Sequence, residues 1–245
     1  MKDYDVSTYG DRIADVYDEW YGEARFLETD AAVDFLAELA GDGPVLELAV
    51  GTGRLAIPLA ERGLEVHGID ASEAMVAKLR EKPGGDRVQV TMGDFADVDV
   101  DGLYRLVFVG FNTFFALESQ DEQVRCFENV ARRLTDDGVF CIDAFVPDPA
   151  RFAGGRVSVS KIELDLVQLD VTLLDQAEQK STAQHVVLRP DGIRFYPVNV
   201  RWAYPPELDL MAKLAGLELR ERFGSWRRDP FTKESGHHVS VYGKA

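Results

Sequence analysis

Cysteine and long apolar runs are both scarce in this chain of 245 residues. Cys126 and Cys141 are the two cysteines, too few for a disulfide framework, and they fit two buried thiols in a reducing compartment. No stretch approaches the ~18–20 apolar residues of a membrane span. The N-terminal sequence is acidic and aromatic, without the basic start and apolar centre of a signal peptide. We therefore predict a cytoplasmic protein without a membrane partner.

Basic residues are outnumbered, since 27 Lys and Arg against 43 Asp and Glu give a formal net charge of -16. That field repels a phosphate backbone, which argues against nucleic-acid partners and is compatible with a neutral or cationic small molecule. The four histidines show no metal-ligand spacing, so no metal site is predicted. Hydrophobic residues make up 46% of the chain, enough for one sizeable core. We expect a monomer or a homodimer.

Strand-like and helix-like segments alternate strictly in the first half of the chain. This alternation predicts a parallel sheet with right-handed crossovers. The α/β pattern spans residues 41–150 and resumes over residues 205–245. Residues 151–204 contain strand-like segments joined by turn signals, which predicts an antiparallel insertion. Residues 1–40 have the apolar spacing of helices.

The glycine-rich turn "GTGRLA", Gly51 to Ala56, lies between a predicted strand and a predicted helix. It fits the fingerprint G-x-G-x-x-G/A, in which glycines let backbone approach a ligand and the helix N-terminus favours negative charge. Taken alone, this turn leaves an NAD(P)-binding oxidoreductase as an alternative. Three acids at strand ends favour another cofactor. Glu47 suits an ammonium group, Asp70 suits ribose hydroxyls, and Asp94 beside an aromatic suits the exocyclic amine of a purine.

As a set, these motifs resemble the class I S-adenosylmethionine-dependent methyltransferases. The resemblance covers residues 45–146 and runs in order through "VLELAVGTGR", "VHGIDASEAM", "MGDF", the strand before "GFNTFF", and "LTDDGVFCIDAF". It implies an α/β fold with a Rossmann-like, mostly parallel seven-stranded sheet in the order 3-2-1-4-5-7-6 and helices on both faces. The antiparallel insertion would follow strand five. The resemblance also implies S-adenosyl-L-methionine as the cofactor.

The resemblance extends to individual residues around the cofactor. The implied contacts are Glu47, Gly51, Thr52 and Gly53 for the methionine part, Asp70 for the ribose, and Ala71, Met75, Asp94 and Phe95 for the adenine. Arg25 is a candidate partner for the cofactor carboxylate, with a surface ion pair as the alternative. Glu47 has backbone capping as its alternative, and Met75 has core packing. Val50 departs from the family, which usually has glycine there, and it narrows the turn.

Candidate substrate residues follow strands four and five and also lie in the N-terminal segment. No N-P-P-Y sequence follows strand four, which argues against a nucleic-base substrate. The aromatic segment within residues 1–40 is similar to the lid of small-molecule methyltransferases that act on amino sugars and antibiotic precursors, and helix packing is the alternative. Asp143 is expected either in the methyl pocket or in a helix-end hydrogen bond. The full set of candidates is Tyr9, Tyr17, Asn112, Thr113 and Asp143, with His185 as a base and Arg201, Trp202 and Tyr204 as pocket walls.

We therefore predict an S-adenosylmethionine-dependent methyltransferase that moves a methyl group to a small-molecule nucleophile by in-line displacement. The expected acceptor is an amine of a natural-product or sugar-like substrate, because a neutral amine attacks directly whereas a hydroxyl generally needs a base. O-methylation of a small hydroxylated metabolite is the first alternative. An NAD(P)-dependent oxidoreductase is the second.

Overall fold

The computed structural model describes residues 1–22, 28–148 and 155–245. Within these ranges the strands, in chain order, are β1 (Val45–Leu48), β2 (Val66–Asp70), β3 (Gln89–Met92), β4 (Tyr104–Val109), β5 (Leu134–Phe145), β6 (Arg156–Glu163), β7 (Leu166–Asp175), β8 (Lys180–Arg189), β9 (Gly192–Arg201), β10 (Leu217–Phe223) and β11 (His237–Lys244). The α-helices are α1 (Thr8–Tyr21), α2 (Thr29–Ala40), α3 (Ala56–Glu61), α4 (Glu73–Glu81), α5 (Gln120–Arg133) and α6 (Pro205–Leu214).

The larger sheet has seven strands in the order β3-β2-β1-β4-β5-β11-β10. Strands β1 to β5 pair in parallel, and β11 runs antiparallel to both β5 and β10. Counted within this sheet, the order is 3-2-1-4-5-7-6 with the seventh strand antiparallel, so the predicted fold is confirmed. The central strands β1 and β4 are almost entirely buried and mainly apolar because helices cover both faces of the sheet.

Local sequence signals set the starts of the helices that flank this sheet. The Ser72 hydroxyl accepts the Met75 N–H at 3.2 Å and caps α4. At α5, the Ser119 hydroxyl accepts the Glu122 N–H, while the Glu122 carboxylate accepts the Ser119 N–H, which forms a capping box. Pro205 begins α6, where its missing N–H costs nothing.

A second, four-stranded antiparallel sheet in the order β6-β7-β8-β9 follows β5 in the chain. Its apolar residues Leu166, Val187 and Tyr196 form one buried cluster with Ile13 and Ala14 of α1. The N-terminal helix is therefore enclosed between this small sheet and the larger one, and it also packs on α4.

No helix in the described part of the chain is long and apolar enough to cross a membrane. Within the same ranges, no group of His, Cys, Asp and Glu side chains has the arrangement of a metal site. Cys126 and Cys141 are both free and buried, as expected.

Candidate active site

A cavity of about 840 Å³ lies at the carboxyl ends of β1, β2 and β4, between α1 and the small sheet. Such an edge is where open α/β sheets bind their ligands. Most of the predicted site residues line it: Tyr9, Tyr17, Glu47, Gly51, Thr52, Asp70, Ala71, Met75, Asp94, Phe95, Asn112 and Thr113. Gly53 and Asp143 do not line it, and Arg25 lies outside the described residues.

The glycine turn after β1 is held by the acid at the end of β2. Asp70 Oδ2 accepts the Gly51 N–H at 2.7 Å, and Asp70 Oδ1 accepts the Ser72 N–H at 2.9 Å. Gly51 has a φ of 56°, a left-handed conformation that disfavours side chains. Gly53 has a φ of 80°, and a Cβ there would lie 2.9 Å from the Ile57 side chain. Gly53 therefore serves helix packing, while Gly51 faces the cavity.

Val50, the departure from the family pattern, fits because its neighbours make room. The positive φ before Gly51 falls on Ala49, at 57°, and not on Val50. A Cβ on Gly68 would lie 2.5 Å from Val50 Cβ, so the missing side chain of Gly68 accommodates the valine. The turn is therefore narrowed on its buried side and stays open toward the cavity.

An acidic and a basic side chain lie close together at the end of β1. Glu47 is 5% exposed, and its Oε2 has no hydrogen-bond partner. Burial raises the pKa of Glu47 to about 8, against the opposing effect of the Arg54 guanidinium. Arg54 lines the same cavity, and its buried Nε also has no partner. Arg54 was not among the predicted site residues, although its position directly after Gly-Thr-Gly was a signal.

Near the end of β3, the cavity is lined by an acid, an aromatic ring and a flexible apolar side chain. Asp94 Oδ1 accepts the Ala96 N–H at 2.8 Å, and burial raises the pKa of Asp94. Met75 is 5% exposed, and its Cε is 3.3 Å from a Cβ built on Gly51. Phe95 packs against the core cluster on one face of the sheet. The arrangement fits an aromatic heterocycle with an amine edge.

Helix α1 places aromatic rings over the cavity. The Tyr17 and Tyr21 rings are 5.0 Å apart, and the Tyr21 ring is 5.0 Å from that of Phe111 at the end of β4. Tyr9 and Tyr17 line the cavity, and burial raises the pKa of both phenols, so they stay neutral at physiological pH. The predicted lid residues are thus next to the site.

Polar contacts tie α1 to the glycine turn. Asp18 Oδ1 accepts the Thr52 hydroxyl at 2.7 Å and the Lys82 ammonium at 2.8 Å. Lys82 also donates to the Thr52 carbonyl at 2.9 Å. Two turns earlier in α1, Asp11 accepts the Ser72 hydroxyl at 2.6 Å. The helix is therefore fixed to the two loops that form the cavity floor.

Asp143 does not line the cavity, and of the two expectations its position is nearer to the helix-end hydrogen bond, because its partner Phe111 directly precedes Asn112, the N-cap of the short helical turn Thr113–Ala116. It accepts the Phe111 N–H at 2.7 Å and forms an ion pair with His237 of β11. Phe111 and Asn112 both have positive φ, 55° and 65°, and Asn112 Oδ1 accepts the Phe145 N–H at 2.7 Å. Asp143 therefore holds a strained turn at the cavity wall from behind.

The other end of the cavity lies under β9. Asn199 Nδ2 donates to Glu118 at 3.3 Å, and the Tyr4 hydroxyl accepts the Asn199 N–H at 3.3 Å. The Asn199 Oδ1 and the Trp202 Nε1 are buried without a hydrogen-bond partner. All four residues line the cavity, and Glu118 and Asn199 were not among the predicted site residues.

The three remaining candidates, His185, Arg201 and Tyr204, lie in different parts of the structure. His185 lines the cavity, with its Nδ1 2.6 Å from Asp170. Arg201 is buried away from the cavity, 2.7 Å from Glu207. Tyr204 lines a different, shallow surface groove. The interpretation of Arg201 and Tyr204 as pocket walls is therefore not supported by their positions.

Known proteins share this chain's sequence and its fold. Residues 45–138 match a family described as "Methyltransferase domain". Over 201 residues the chain is 32% identical to the cypemycin N-terminal methyltransferase of Streptomyces sp., a match covering 80% of this chain and 81% of that protein. The solved structure of the CcbJ methyltransferase from Streptomyces caelestis is 45% identical, with a TM-score of 0.93, covering 99% of this chain and 100% of that one.

This chain belongs to the S-adenosylmethionine-dependent methyltransferases. The sugar N-methyltransferase KedS8 from Streptoalloteichus sp. shares the fold of this methyltransferase at 21% identity, with a TM-score of 0.70, covering 94% of this chain and 92% of that one. The oxidoreductase alternative is wrong, because the acids at the strand ends and the family assignment agree on another cofactor.

The cavity of this methyltransferase fits S-adenosylmethionine. The unpartnered Glu47 Oε2 and Arg54 Nε match the ammonium and the carboxylate of the cofactor's amino-acid part. When bound, the cofactor supplies a methyl group activated by its sulfonium charge. The protein's part is to orient both reactants and to exclude water.

Proposed function

We propose that this methyltransferase transfers a methyl group to an amine nitrogen of a small natural-product molecule. Glu47 and Arg54 hold the amino-acid part of the cofactor, Asp70 the ribose, and Asp94 with Phe95 and Met75 the adenine. This assignment uses the two unpartnered polar atoms at the end of β1 and the remaining lone pairs of the acids at the ends of β2 and β3. The reacting sulfonium then faces the wall formed by Phe111 and Asn112, and the substrate occupies the end under β9.

The charge of the substrate end is the observation that carries this proposal. The carboxylates that line the cavity away from the cofactor residues are Asp5, Glu118 and Asp148. Among the described lining residues, the basic ones are Arg54 and His185. A negative site attracts an ammonium-bearing substrate and repels an acidic one. The related cypemycin N-terminal methyltransferase carries an amine target in its name, in agreement with this choice.

Neutral polar groups add hydrogen-bond recognition to this charge. The Asn199 Oδ1 is an unpartnered acceptor, and the Trp202 Nε1 is an unpartnered donor. Buried groups of this kind cost free energy until a ligand satisfies them, so they favour a substrate that offers both a donor and an acceptor near its amine. Amino sugars and peptide N-termini both have this composition.

The aromatic residues of α1 complete the reaction site. Tyr9, Tyr17 and Phe111 line the cavity, and the face of an aromatic ring attracts a sulfonium or ammonium cation. By closing the cavity, α1 also removes water, which strengthens electrostatic contacts to the substrate. Asn112 positions the backbone turn at the methyl end and has its own Oδ1 already bonded to Phe145.

Matched amine and hydroxyl probes test the proposed acceptor. The purified enzyme would be incubated with S-adenosylmethionine and with alanyl-alanine or glucosamine, or with lactyl-alanine or glucose. We expect a methyl adduct on the amine probes, located on nitrogen by tandem mass spectrometry. Methylation confined to the hydroxyl probes would contradict the proposal and favour O-methylation.

The Glu118→Gln variant tests whether the acidic residues of the cavity bind the substrate. Glu118→Gln removes a charge at the substrate end and is expected to raise KM for the amine probe about tenfold or more, in keeping with charge-assisted hydrogen bonds of ~1.5–3 kcal/mol. The Kd for S-adenosylhomocysteine should not change. Glu128→Gln, on the exposed face of α5, is the matched control. An unchanged KM in Glu118→Gln would remove Glu118 from the substrate site.

A further inference from the structure

Strands β7 and β8 present a histidine and a carboxylate as direct cross-strand neighbours on the cavity side. Asp170 and His185 are paired in the antiparallel register. The His185 Nδ1–H donates to Asp170 Oδ1 at 2.6 Å, and the Ser160 hydroxyl of β6 donates to Asp170 Oδ2. The carboxylate is thus held from one side by β6 and directs its other oxygen at the imidazole.

This contact determines which ring nitrogen is free. Because a carboxylate can only accept, Nδ1 keeps the proton, and in the neutral imidazole the lone pair is on Nε2. His185 lines the cavity, and no described protein group hydrogen-bonds its Nε2. Its side chain is 25% exposed, so a proton taken up there can pass on to water.

Side chains from α1, β7, β8 and β9 surround His185. Trp20 of α1 packs edge-on against two residues of the small sheet. The centre of its ring is 6.0 Å from that of His185 on β8 and 4.9 Å from that of Tyr196 on β9. The Tyr21 ring of α1 is 6.4 Å from that of Trp20, and burial, followed by the neighbouring Tyr17 and Asp170, raises the pKa of Tyr21 to about 12. Apart from Asp170, the charged groups on this face include two opposed pairs, Glu19 with Arg189 and Asp191 with Arg194.

We propose that His185, oriented by Asp170, is the base that removes a proton from the substrate ammonium before methyl transfer. The inference rests on the proposed amine substrate, because an amine reaches an acidic cavity in its protonated form, which has no lone pair for attack. Imidazole is the side chain whose charge changes at physiological pH, which suits it to this step.

The step balances as follows in protons and electrons. One ammonium N–H bond breaks, its electron pair stays on nitrogen, and the proton bonds to His185 Nε2. The free amine then bonds to the methyl carbon in line with the S–C bond, whose electron pair stays on sulfur. The products are a methylated ammonium, a neutral thioether and an imidazolium that returns its proton to water.

Rate profiles against pH test this role. With alanyl-alanine as the probe, His185→Gln is expected to lower kcat at pH 6.5 by about 10²-fold, the lower range for a general base. The deficit should shrink above about pH 9, since an α-amino group has a pKa near 7.7–8.0 and then arrives deprotonated. If the substitution only disturbed the structure, raising the pH would not restore kcat. A wild-type rate for His185→Gln at pH 6.5, or a deficit that does not depend on pH, would overturn the proposal.

Two further variants complete the kinetic test. Asp170→Asn should show the same pH-dependent deficit at smaller size, because the ring keeps Nε2 but loses its charged partner. His67→Gln is the matched control, since His67 of β2 contacts Tyr104 and Thr91 and does not line the cavity. A pH-dependent loss in His67→Gln equal to that of His185→Gln would also overturn the assignment.

Nitrogen-15 NMR of the complex with S-adenosylhomocysteine provides a readout without turnover. We expect His185 to show a protonated Nδ1 and an unprotonated Nε2 at pH 8, and to lose this pattern in Asp170→Asn. A proton on Nε2 at pH 8 would refute the proposal even if alanyl-alanine is not a substrate. If the methyl group is instead found on a hydroxyl probe, the proposed amine acceptor fails while the NMR result still decides whether His185 can act as a base.

Discussion

Asp70 has two functions in the proposed site: it holds backbone amides of the cavity loops, and it faces the position of the ribose. Its two oxygens hold the Gly51 and Ser72 amides, and their remaining lone pairs face the proposed ribose position. Asp70→Asn places an NH₂ donor against one of these N–H groups. We expect S-adenosylhomocysteine to bind more weakly, with a loss of ~1–3 kcal/mol in binding free energy measured by calorimetry. An unchanged Kd would refute the ribose assignment, and Asp86→Asn on the exposed surface is the control.

Glu47 should make cofactor binding depend on pH. With a pKa raised to about 8 by burial, Glu47 is largely protonated at pH 7 in the free enzyme. Binding the cofactor's ammonium requires the ionised form, so lower pH must weaken binding. We expect the Kd for S-adenosylhomocysteine to rise about tenfold for each pH unit below 8. Calorimetry in buffers of different ionisation enthalpy would show proton release, and a pH-independent Kd between 6 and 8 would contradict this.

The sequence predicted the residues whose position follows from strand ends, and it missed those that depend on side-chain direction. Glu47 and Asp70 lie in the last two residues of β1 and β2, and Asp94 lies two residues after β3, so all three are at the carboxyl ends of parallel strands, which meet at one edge. Arg54, Glu118 and Asn199 enter the cavity through tertiary packing, which no local pattern specifies. Asp143 was expected in either of two places, and the local sequence could not decide between them, because a residue near a strand end can still turn away from the cavity.

At the scale of elements, α1 separates from the two main cores. The buried clusters on the two faces of the larger sheet contain no residue of α1, whereas Ile13 and Ala14 belong to the smaller cluster with β7, β8 and β9. We expect deletion of residues 1–21 to leave a folded protein that transfers methyl groups at least ~10²-fold more slowly, because positioning and water exclusion are lost. Circular dichroism and turnover measure the two effects. Full turnover after deletion would mean that α1 is a packing helix alone.

A single side chain should weaken the attachment of α1 without removing it. Asp18→Asn loses the ionic contact to Lys82 and weakens the contact to Thr52. We expect hydrogen exchange over residues 8–21 to become faster by about three- to tenfold, as for a partly buried polar contact of ~1 kcal/mol. Asp15→Asn in the same helix is the control, because it weakens only an exposed ion pair with Lys78 of α4, which is expected to contribute little. Equal exchange in both variants would show that apolar packing alone fixes α1.

The elements themselves were largely predictable, because each has a local signal. The alternation of strands and helices, the serine caps of α4 and α5, and the turn at Pro190 to Gly192 all appear in the sequence. The contact of α1 with the small sheet was not predictable, since the matching surfaces are about 150 residues apart in the chain.

At the scale of the whole molecule, one buried arginine joins the small sheet to the larger domain. Arg201, the last residue of β9, is 6% exposed and donates to Gln123 of α5 and to Glu207 of α6. Glu207 also accepts hydrogen bonds from Gln179 and Gln120. The network fixes the return of the chain from β9, and hence the Trp202 and Asn199 side chains over the cavity.

Replacing this arginine should destabilise the protein strongly. Arg201→Met keeps much of the volume but leaves Glu207 as a partly buried charge without its ionic partner. We expect the free energy of unfolding in urea to fall by ~3–5 kcal/mol, the usual result of removing one partner from a buried pair. Arg194→Met, which breaks an exposed pair with Asp191, should change it by less than ~1 kcal/mol.

A double-mutant cycle separates the ion pair from the loss of packing. If the pair itself matters, Arg201→Met combined with Glu207→Gln should be less destabilising than the sum of the two single changes, because the double variant leaves no unpaired charge. Additive effects would mean that the aliphatic part of Arg201 packs the junction and that its charge is incidental. In that case the two sheets are joined by Trp202, Ala203 and Leu208 of the apolar core alone.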